Sequence, residues 1–314
     1  MKRPQSQLVA IASALGFTVA AAGAQVAVQQ PVAPAQTFRS QTELVVLHVN
    51  VFDGRSDAVP DLPQSAFSVF ENDQPQNISF FSNADVPVAI GLLVDNSSSM
   101  IARRGLVVAG GTAFVDSSHP DDELFTIHLN ENIRFGLPAG IPFTNRPLLL
   151  QAAFVKYRAG GRTAIHDAVI AGLDHLEGAT HQKHVLVVLS DGDDNASTYS
   201  EADMLARARA GDTIIYTVSN AGHGQGEGDR GVLKRLAEAT GGVAYFPRTD
   251  EEAVQRFGEI AGNIRRAYSL GYVPTNNTQG DYRRVRVTVR APGRRNLNVQ
   301  SRHGYTATGH SSPR

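Results

Sequence analysis

The sequence contains no cysteine among its 314 residues. This absence excludes disulfides, thiolate metal sites, a cysteine nucleophile and an N-terminal lipid-modified cysteine. Beyond the N-terminal region, no apolar run is long enough to indicate a membrane span. Hydrophobic residues nevertheless make up 42% of the chain. That fraction is sufficient for a packed core in one large domain or two smaller ones.

The N-terminus has the features of an export signal. Lys2 and Arg3 precede an uncharged apolar stretch from Leu8 to Ala22, and small residues suited to cleavage follow it. The apolar stretch is short for a transmembrane helix, although an uncleaved anchor is the alternative. We therefore expect a signal peptide over residues 1–24 and a mature chain without a transmembrane segment, exported to the periplasm, the cell surface or the medium.

Charge is distributed unevenly along the chain. The net charge is −1, yet residues 265–314 hold ten arginines and a single acid, Asp281. The preceding mature residues carry the compensating excess of acids. Such an asymmetry indicates either docking within the molecule or an anionic partner. Arginines alternate with valines in residues 282–290, and this pattern favours docking.

Two β-rich segments flank the middle of the chain. Residues 43–53 alternate apolar and polar positions, as a strand with one buried face does. Residues 66–81 are typical of a hairpin that turns at Asn72 and Asp73. The alternation returns in residues 282–290. We expect the two flanks to form one small β-sandwich that is split by an inserted domain.

Between the flanks, continuous apolar runs take turns with helical patterns. The runs at 88–94, 184–190 and 213–219 predict buried strands, and segments such as 104–117 and 164–176 predict helices. This order predicts an α/β fold, a doubly wound and mostly parallel sheet with helices on both faces, similar to a Rossmann fold. The predicted order is a signal peptide (1–24), a linker (25–41), the N-terminal half of the sandwich (42–87), the α/β domain (88–264), the C-terminal half of the sandwich (265–307) and a disordered tail (308–314).

Oxygen-bearing side chains occur where this sheet is expected to bind ligands, beyond the carboxyl ends of its strands. Asp95, Ser97 and Ser99 follow the first core strand, Thr163 lies in an expected exposed loop before a helix, and Asp191 follows the strand at 184–190. Carboxylate and hydroxyl oxygens are ligands for hard cations, and Mg²⁺ retains several waters. This set leaves room for one ligand from outside. Turn and cap chemistry, with Ser99 and Thr163 starting helices, is the alternative.

The three motifs resemble a known site. D-x-S-x-S at 95–99, the threonine of G-G-x-T at 160–163 and the aspartate of S-D-G at 190–192 look like the metal-ion-dependent adhesion site (MIDAS) of von Willebrand factor type A domains. The resemblance covers residues 87–262. With its flanks, the whole chain looks like the exported proteins of bacteria such as acidobacteria that are related to this family.

The resemblance implies a role for each residue. Ser97, Ser99 and Thr163 would bind the metal through hydroxyl oxygens, and Asp95 and Asp191 would bind it directly or through water. The implied ion is Mg²⁺ or Mn²⁺, with Ca²⁺ as a further candidate. An Asp or Glu carboxylate of a partner protein would complete the octahedron.

Other polar segments favour simpler interpretations. Asp193 and Asp194 are typical of a solvated turn. His166 and Asp167 are neighbours on a helix face, and the sequence has no G-x-S-x-G motif to suggest a hydrolase. The glycine-rich segment 220–231 lacks the G-K-[ST] of a phosphate-binding loop, so we expect it to shape the binding face. A second metal on His223, Glu227 and Asp229 is disfavoured.

These observations predict an exported, divalent-metal-dependent protein-binding module for adhesion or assembly. We expect no catalytic activity and no nucleic-acid partner. Two alternatives remain: a structural envelope protein in which the metal is incidental, and a metal-dependent hydrolase. A catalytic metal needs a positioned base beside its open coordination position, and the sequence offers no convincing base.

Overall fold

The computed structural model describes residues 44–54, 58–219, 229–275 and 280–307. All of these residues lie in one compact unit. The predictions of a signal peptide, a linker and a C-terminal tail fall outside the described residues. None of the helices in the described ranges is long and apolar enough to cross a membrane.

The predicted strands and helices occur in the predicted order, and the structure adds a helix at 147–155 and a strand at 268–272 that were not predicted. The strands are β1 (Val45–Phe52), β2 (Phe67–Glu71), β3 (Gln74–Gln76), β4 (Ile78–Ser82), β5 (Ala89–Asp95), β6 (Glu123–Leu129), β7 (Ile133–Phe135), β8 (His184–Ser190), β9 (Ile214–Ser219), β10 (Ala244–Tyr245), β11 (Tyr268–Tyr272), β12 (Tyr282–Val289), β13 (Asn298–Gln300) and β14 (Gly304–Thr306). The helices are α1 (Arg104–Asp116), α2 (Pro147–Val155), α3 (Ile165–Leu176), α4 (Glu201–Ala210), α5 (Arg230–Thr240) and α6 (Asp250–Arg266).

A six-stranded sheet in the order β10-β9-β8-β5-β6-β7 forms the centre of the α/β domain. All neighbouring pairs are parallel except β6 and β7, which are antiparallel. Helices α1, α2 and α6 pack together, and α3, α4 and α5 form a second group. Every residue of β5 and β9 is buried, because both faces of a parallel sheet are covered by helices. The predicted doubly wound, mostly parallel α/β fold is confirmed.

Helix α2 was not predicted from the sequence. Its residues, PLLLQAAFV, are apolar almost throughout, so no polar face marks the helical period. Leu150, Ala153 and Phe154 are buried, whereas Leu148 is 79% exposed. The tertiary contacts of this segment decide which side faces the core.

Two glycines allow α1 to pack closely between two other helices. A Cβ atom at Gly110 would lie 2.5 Å from the ring of Phe257 in α6, and one at Gly111 would lie 2.6 Å from the ring of Phe154 in α2. Larger residues would therefore displace α1. This packing fixes the helix that follows the 95–99 segment.

Strands from both flanks build two four-stranded sheets, β13-β1-β11-β4 and β14-β12-β2-β3. The sheets share one apolar core that includes Leu47, Val69, Leu270 and Val287. Strands β2 and β3 are joined by a two-residue turn in which Asn72 and Asp73 both have positive φ, at 47° and 64°, as a type I′ hairpin turn requires. The domain boundaries at 87/88 and 264/265 stay predictions.

The alternation of β12 contains an exception. Val285 and Val287 face the shared core, but Arg283, at the same parity, is also buried and only 3% exposed. Its Nη1 lies 3.2 Å from Oε1 of Glu71. Oε2 of Glu71 accepts the hydroxyl of Tyr272 at 2.7 Å. A charge is tolerated inside the sandwich because its partner and the hydrogen bonds are buried with it.

Other arginines of the C-terminal segment pair with acids of the same molecule. Arg294 lies 3.2 Å from Asp61, and Arg284 lies 3.2 Å from Asp73. Both acids precede the α/β domain in the chain. The docking of the basic segment therefore takes place largely within the sandwich.

The chain enters and leaves the α/β domain at the end of the sheet opposite the 95–99 segment, and a buried carboxylate joins the two points. Asp122 is 0% exposed. It accepts the backbone N–H groups of Val88 (2.8 Å) and His119 (2.9 Å), and Nη2 of Arg265 lies 3.0 Å and 3.2 Å from its two oxygens. Val88 precedes β5 and Arg265 is in the last turn of α6, so these bonds hold both ends of the domain together.

We expect Asp122→Ala to lower the free energy of unfolding by about 3 kcal/mol, because Arg265 and two backbone N–H groups lose a buried partner. Urea denaturation followed by circular dichroism measures the change. The control is Asp121→Ala at the neighbouring carboxylate, whose side chain is 72% exposed; there the change should stay below about 0.5 kcal/mol. Equal effects of the two variants would contradict the assignment.

Candidate metal centre

Asp95 lies at the end of β5 and joins two loops of the metal edge, by which we mean the carboxyl ends of the strands in the six-stranded sheet. Its side chain is 0% exposed. Oδ1 accepts the N–H of Ser97 at 2.8 Å, and Oδ2 accepts the hydroxyl of Ser190 at 2.7 Å. Because Ser190 is the last residue of β8, this carboxylate connects the segment after β5 to the segment that carries Asp191.

The electrostatic environment of Asp95 disfavours its ionised form. Burial raises the pKa of Asp95 to about 6, hydrogen bonds from Ser190 and Ser97 oppose the rise, and the charge of Asp191 adds to it. Among the described residues, no cationic side chain forms an ion pair with Asp95 within 4.0 Å. A buried carboxylate with a second carboxylate nearby and no such ion pair is an environment that a bound metal ion would stabilise.

The hydroxyls of Ser97 and Ser99 face each other across 2.9 Å. A short 3-10 helix, Ser98–Arg103, begins after Ser97, but the Ser97 side chain makes no capping hydrogen bond. Ser99 lies inside this helix and α3 starts after Ala164, likewise without a side-chain cap. The alternative in which Ser99 and Thr163 serve as caps is therefore not what the structure shows.

Thr163 is held against the loop that follows β8. Its N–H donates to Oδ1 of Asn195 at 2.9 Å, and its carbonyl accepts the N–H groups of Asn195 (3.0 Å) and Ala196 (2.9 Å). The expectation of an exposed loop residue is wrong, because these contacts leave Thr163 only 4% exposed. Asp191 is half-buried in the same loop, and its Oδ1 accepts the N–H of Asp193 at 3.3 Å.

A glycine pair ties the Thr163 loop to the 95–99 segment. The N–H of Gly160 donates to the carbonyl of Asn96 at 2.7 Å, and the carbonyl of Gly161 accepts both the N–H and the hydroxyl of Ser98 at 3.1 Å. Gly161 has φ of 88°, and a Cβ there would lie 1.9 Å from Oε2 of Glu131. Only glycine fits this position. The structure thus brings the loops of all five predicted ligands to one edge.

The donor set fits a hard cation. Among the residues that the structure describes, no cluster of three or more His, Cys, Asp or Glu side chains is placed to hold a metal. The predicted set has two carboxylates and three hydroxyls, so it is not a cluster of that kind. Its oxygens are the ligands that Mg²⁺ and Mn²⁺ accept.

A buried network that sequence reasoning missed positions the 95–99 segment. Asn96 is 3% exposed. Its Nδ2 lies 2.9 Å from Nδ1 of His128, its Oδ1 accepts Nη1 of Arg104 at 2.9 Å, and its N–H donates to the carbonyl of Leu129 at 2.7 Å. Burial lowers the pKa of His128 to about 4, so the ring is neutral and Nδ1 accepts from the amide. No local pattern predicts these contacts, which depend on the pairing of β5 with β6.

Asp194 is not a solvated turn residue, contrary to expectation. Its side chain is 11% exposed. It accepts the hydroxyl and the N–H of Ser197 at 2.6 Å and 3.1 Å, and the N–H of His166 at 3.0 Å. Burial raises the pKa of Asp194, but these hydrogen bonds outweigh it and the net shift is downward. This carboxylate therefore shapes the loop after β8.

The first turn of α3 supports the same loop. The carboxylate of Asp167 accepts the N–H groups of Thr198 and Tyr199 at 3.0 Å. Nδ1 of His166 lies 3.1 Å from the carbonyl of Tyr199. His166 and Asp167 thus have partners in the loop rather than each other.

Only the end of the glycine-rich segment is described. Residues 220–228, which include His223 and Glu227, are not among the described residues. Asp229 caps α5 through the N–H of Val232 at 3.0 Å, and its own N–H donates to Oδ1 of Asp193 at 3.1 Å. Asp229 therefore contributes to the end of this segment that joins α5.

Residues 90–259 match the family model of the von Willebrand factor type A domain. The match covers more than half of the chain, so the protein belongs to this family. A solved structure of a von Willebrand factor type A protein from Catenulispora acidiphila aligns with 86% of this chain and 76% of its own, at 14% identity and a TM-score of 0.51. At this identity the likeness shows the fold alone.

Two further solved structures align over shorter stretches of the chain. Proximal thread matrix protein 1 from the mussel byssus, with a zinc-occupied MIDAS motif, covers 62% of this chain and 49% of its own, at 16% identity and a TM-score of 0.48. The vWF domain of the type V pili tip protein Mfa5 from Porphyromonas gingivalis covers 58% and 96%, at 13% identity and 0.46. TM-scores below 0.5 support no conclusion about this chain. Among curated proteins, none matches the sequence.

In metal-free protein, we expect Asp95→Asn to raise the free energy of unfolding near pH 7 by about 2 kcal/mol, because the amide removes a buried charge. The folded pKa, about 6, is above the unfolded value near 4, so ionisation destabilises the folded state as pH rises from about 4 to 6. The difference between variant and wild type should be small near pH 4 and complete above about pH 6.

Denaturant unfolding in chelator, repeated across this pH range, tests the expectation. Asp193→Asn is the matched control, since Asp193 is exposed in the same loop as Asp191. A variant that is no more stable than wild type near pH 7 would show that the Asp95 carboxylate is not electrostatically strained.

Proposed function

We propose that the protein is an exported, divalent-metal-dependent binding module that captures a carboxylate of a partner protein. The ion is held by Asp95, Ser97, Ser99, Thr163 and Asp191. The observation that carries the proposal is the buried Asp95 carboxylate. It accepts hydrogen bonds from the neutral Ser97 N–H and Ser190 hydroxyl, and among the described residues it has no ion pair within 4.0 Å. The hydroxyls of Ser97 and Ser99 lie next to it without a capping role.

The ligand set determines the expected chemistry of the ion. The set has only two carboxylates, which bind directly or through water, and three neutral hydroxyls. Mg²⁺ or Mn²⁺ is therefore held weakly, keeps a net positive charge, and retains water at several coordination positions. We therefore expect weak binding of the free ion and a preference for an anionic ligand from outside. Ca²⁺ is the further candidate, since it takes the same oxygen ligands at longer distances.

A carboxylate of an Asp or Glu side chain is the external ligand that suits this ion. Membership in the von Willebrand factor type A family supports a role in protein–protein interaction. The N-terminal sequence supports export, and we therefore propose a partner in the envelope or outside the cell. We propose no nucleic-acid partner.

We propose no catalytic role for this site. His166 is the histidine nearest in sequence to Thr163, and its Nδ1 faces the Tyr199 carbonyl at 3.1 Å and Asp194 at 3.4 Å. A general base must reach the substrate proton, and this ring is oriented by the loop instead. A hydrolase is therefore less well supported than a binding module.

Calorimetric titration tests the ion. Wild type should bind one Mg²⁺ or Mn²⁺ per chain, Asp191→Ala should bind at least about tenfold more weakly because it removes one of two anionic ligands, and Asp193→Ala should bind like wild type. Undiminished binding by an Asp95→Ala, Asp191→Ala double variant would contradict the ligand assignment.

A pull-down from the native envelope tests the function. Capture of the partner should be lost in chelator and with Asp191→Ala, and kept with Asp193→Ala. The physical reason is that the incomplete coordination of the ion provides the contact. If capture persists in chelator, the structural alternative applies, in which the sandwich binds and the metal is incidental.

A further inference from the structure

The metal edge is divided into a cationic half and an acidic half. The cationic half comprises the segments 98–104, 130–136 and 156–162, which follow β5, β6 and α2. Its charged residues are Arg103, Arg104, Arg134, Lys156, Arg158, Arg162 and a single acid, Glu131. The acidic half lies beyond β8, β9 and β10, and its described acids are Asp191, Asp193, Asp194, Asp229, Asp250, Glu251 and Glu252.

Acids of the acidic half already have partners within the molecule. Asp194 accepts from Ser197 and His166. Asp250 lies 3.3 Å from Arg103. Oε2 of Glu252 accepts the N–H of Arg248 at 2.7 Å. These three acids therefore have structural roles.

Four cations of the other half have no acidic ion-pair partner in the part of the chain that the structure describes, although Nζ of Lys156 donates to the carbonyl of Gly136 at 2.9 Å. Among the described residues, no ion pair within 4.0 Å involves Arg134, Lys156, Arg158 or Arg162. All four side chains belong to exposed residues. Arg134 and Lys156 lie over the ring of Tyr157, at 5.5 Å and 5.2 Å from its centroid. We call Arg134, Lys156, Arg158 and Arg162 the cationic strip.

The cationic strip is directly connected to the candidate metal site. Gly160 and Gly161 lie between Arg158 and Arg162 and bond to the backbone of Asn96 and to Ser98. Nη1 of Arg162 donates to the carbonyl of Asn195 at 3.2 Å, beside Thr163. A partner segment that reaches the ion therefore has the strip within its first few neighbouring residues.

We propose that the partner carboxylate bound at the ion belongs to an acidic protein segment, whose further carboxylates lie along the cationic strip. This inference rests on the proposed function and specifies the class of partner. Unpaired exposed cations attract carboxylates, steer the encounter and disfavour basic segments. Each exposed pair contributes modestly, so two or three pairs correspond to a preference of about fivefold to tenfold.

Peptides immobilised at high density on beads provide the test, because a high ligand concentration raises the fraction of weakly binding protein that is captured. Each peptide carries one central aspartate, flanked by glutamates in one set and by glutamines in the other. In Mg²⁺ or Mn²⁺ at low salt, we expect the full-length protein to bind the glutamate set about fivefold to tenfold more tightly. Chelator should abolish binding to both sets, and about 0.5 M salt should reduce the preference by screening.

The double variant Arg134→Gln, Arg158→Gln removes two of the four exposed cations of the cationic strip. Its preference for the glutamate set should fall to about twofold to threefold, while its affinity for the glutamine set stays that of wild type. The control is Arg290→Gln, Arg295→Gln, which removes two exposed arginines of the sandwich segment and should keep the preference. Thermal unfolding verifies that both variants are folded.

The outcomes separate the two proposals. Equal binding of the two sets by wild type in Mg²⁺ or Mn²⁺ would overturn the acidic-partner inference and leave the metal-dependent function intact. Absence of metal-dependent binding to either set would overturn the proposed function together with the inference. Binding of the glutamate set that persists in chelator would show a general anion-binding surface, and would also overturn the inference.

Discussion

The burial of one carboxylate, that of Asp95, determines the arrangement of the metal edge. Its two oxygens hold the Ser97 N–H and the Ser190 hydroxyl, so the segments after β5 and β8 are fixed relative to one another. The same burial raises the pKa of Asp95 to about 6, because hydrogen bonds do not fully replace water around the charge. A cation bound beside Asp95, where the loops converge, would therefore stabilise the folded protein.

Two other carboxylates with little exposure, those of Asp122 and Asp194, have several hydrogen-bond donors around them. Asp122 has two backbone N–H groups and Arg265 around it, and Asp194 has two N–H groups and a hydroxyl. Both acids serve the architecture: Asp122 joins the two ends of the α/β domain, and Asp194 shapes the loop after β8. Asp95 differs because burial outweighs its hydrogen bonds and raises its pKa, and the charge of Asp191 adds to the rise.

Much of the fold follows from sequence periodicity. Continuous apolar runs predicted the buried strands β5, β8 and β9, and the amphipathic patterns predicted α1 and α3 to within a residue or two of their ends. Helix α2 was not predicted, because its sequence has no polar face that would mark the helical period. The burial of Arg283 was not predicted, because alternation indicates only which side of a strand a residue occupies. A buried arginine is stable only when an acid such as Glu71 pairs with it.

Some features of the candidate site could likewise be predicted from the sequence, and others depend on tertiary contacts. The sequence by itself determined the identity and order of the five oxygen-bearing residues and, through strand–helix alternation, the edge of the sheet at which they would meet, since parallel strands end on one side. Only the tertiary structure decided that Thr163 is covered by Asn195, that Asn96 is fixed by His128 and Arg104, and that exposed cations line one half of the edge. These features depend on contacts between residues that are distant in the chain, and no local pattern encodes which distant groups the packed sheet and helices bring together.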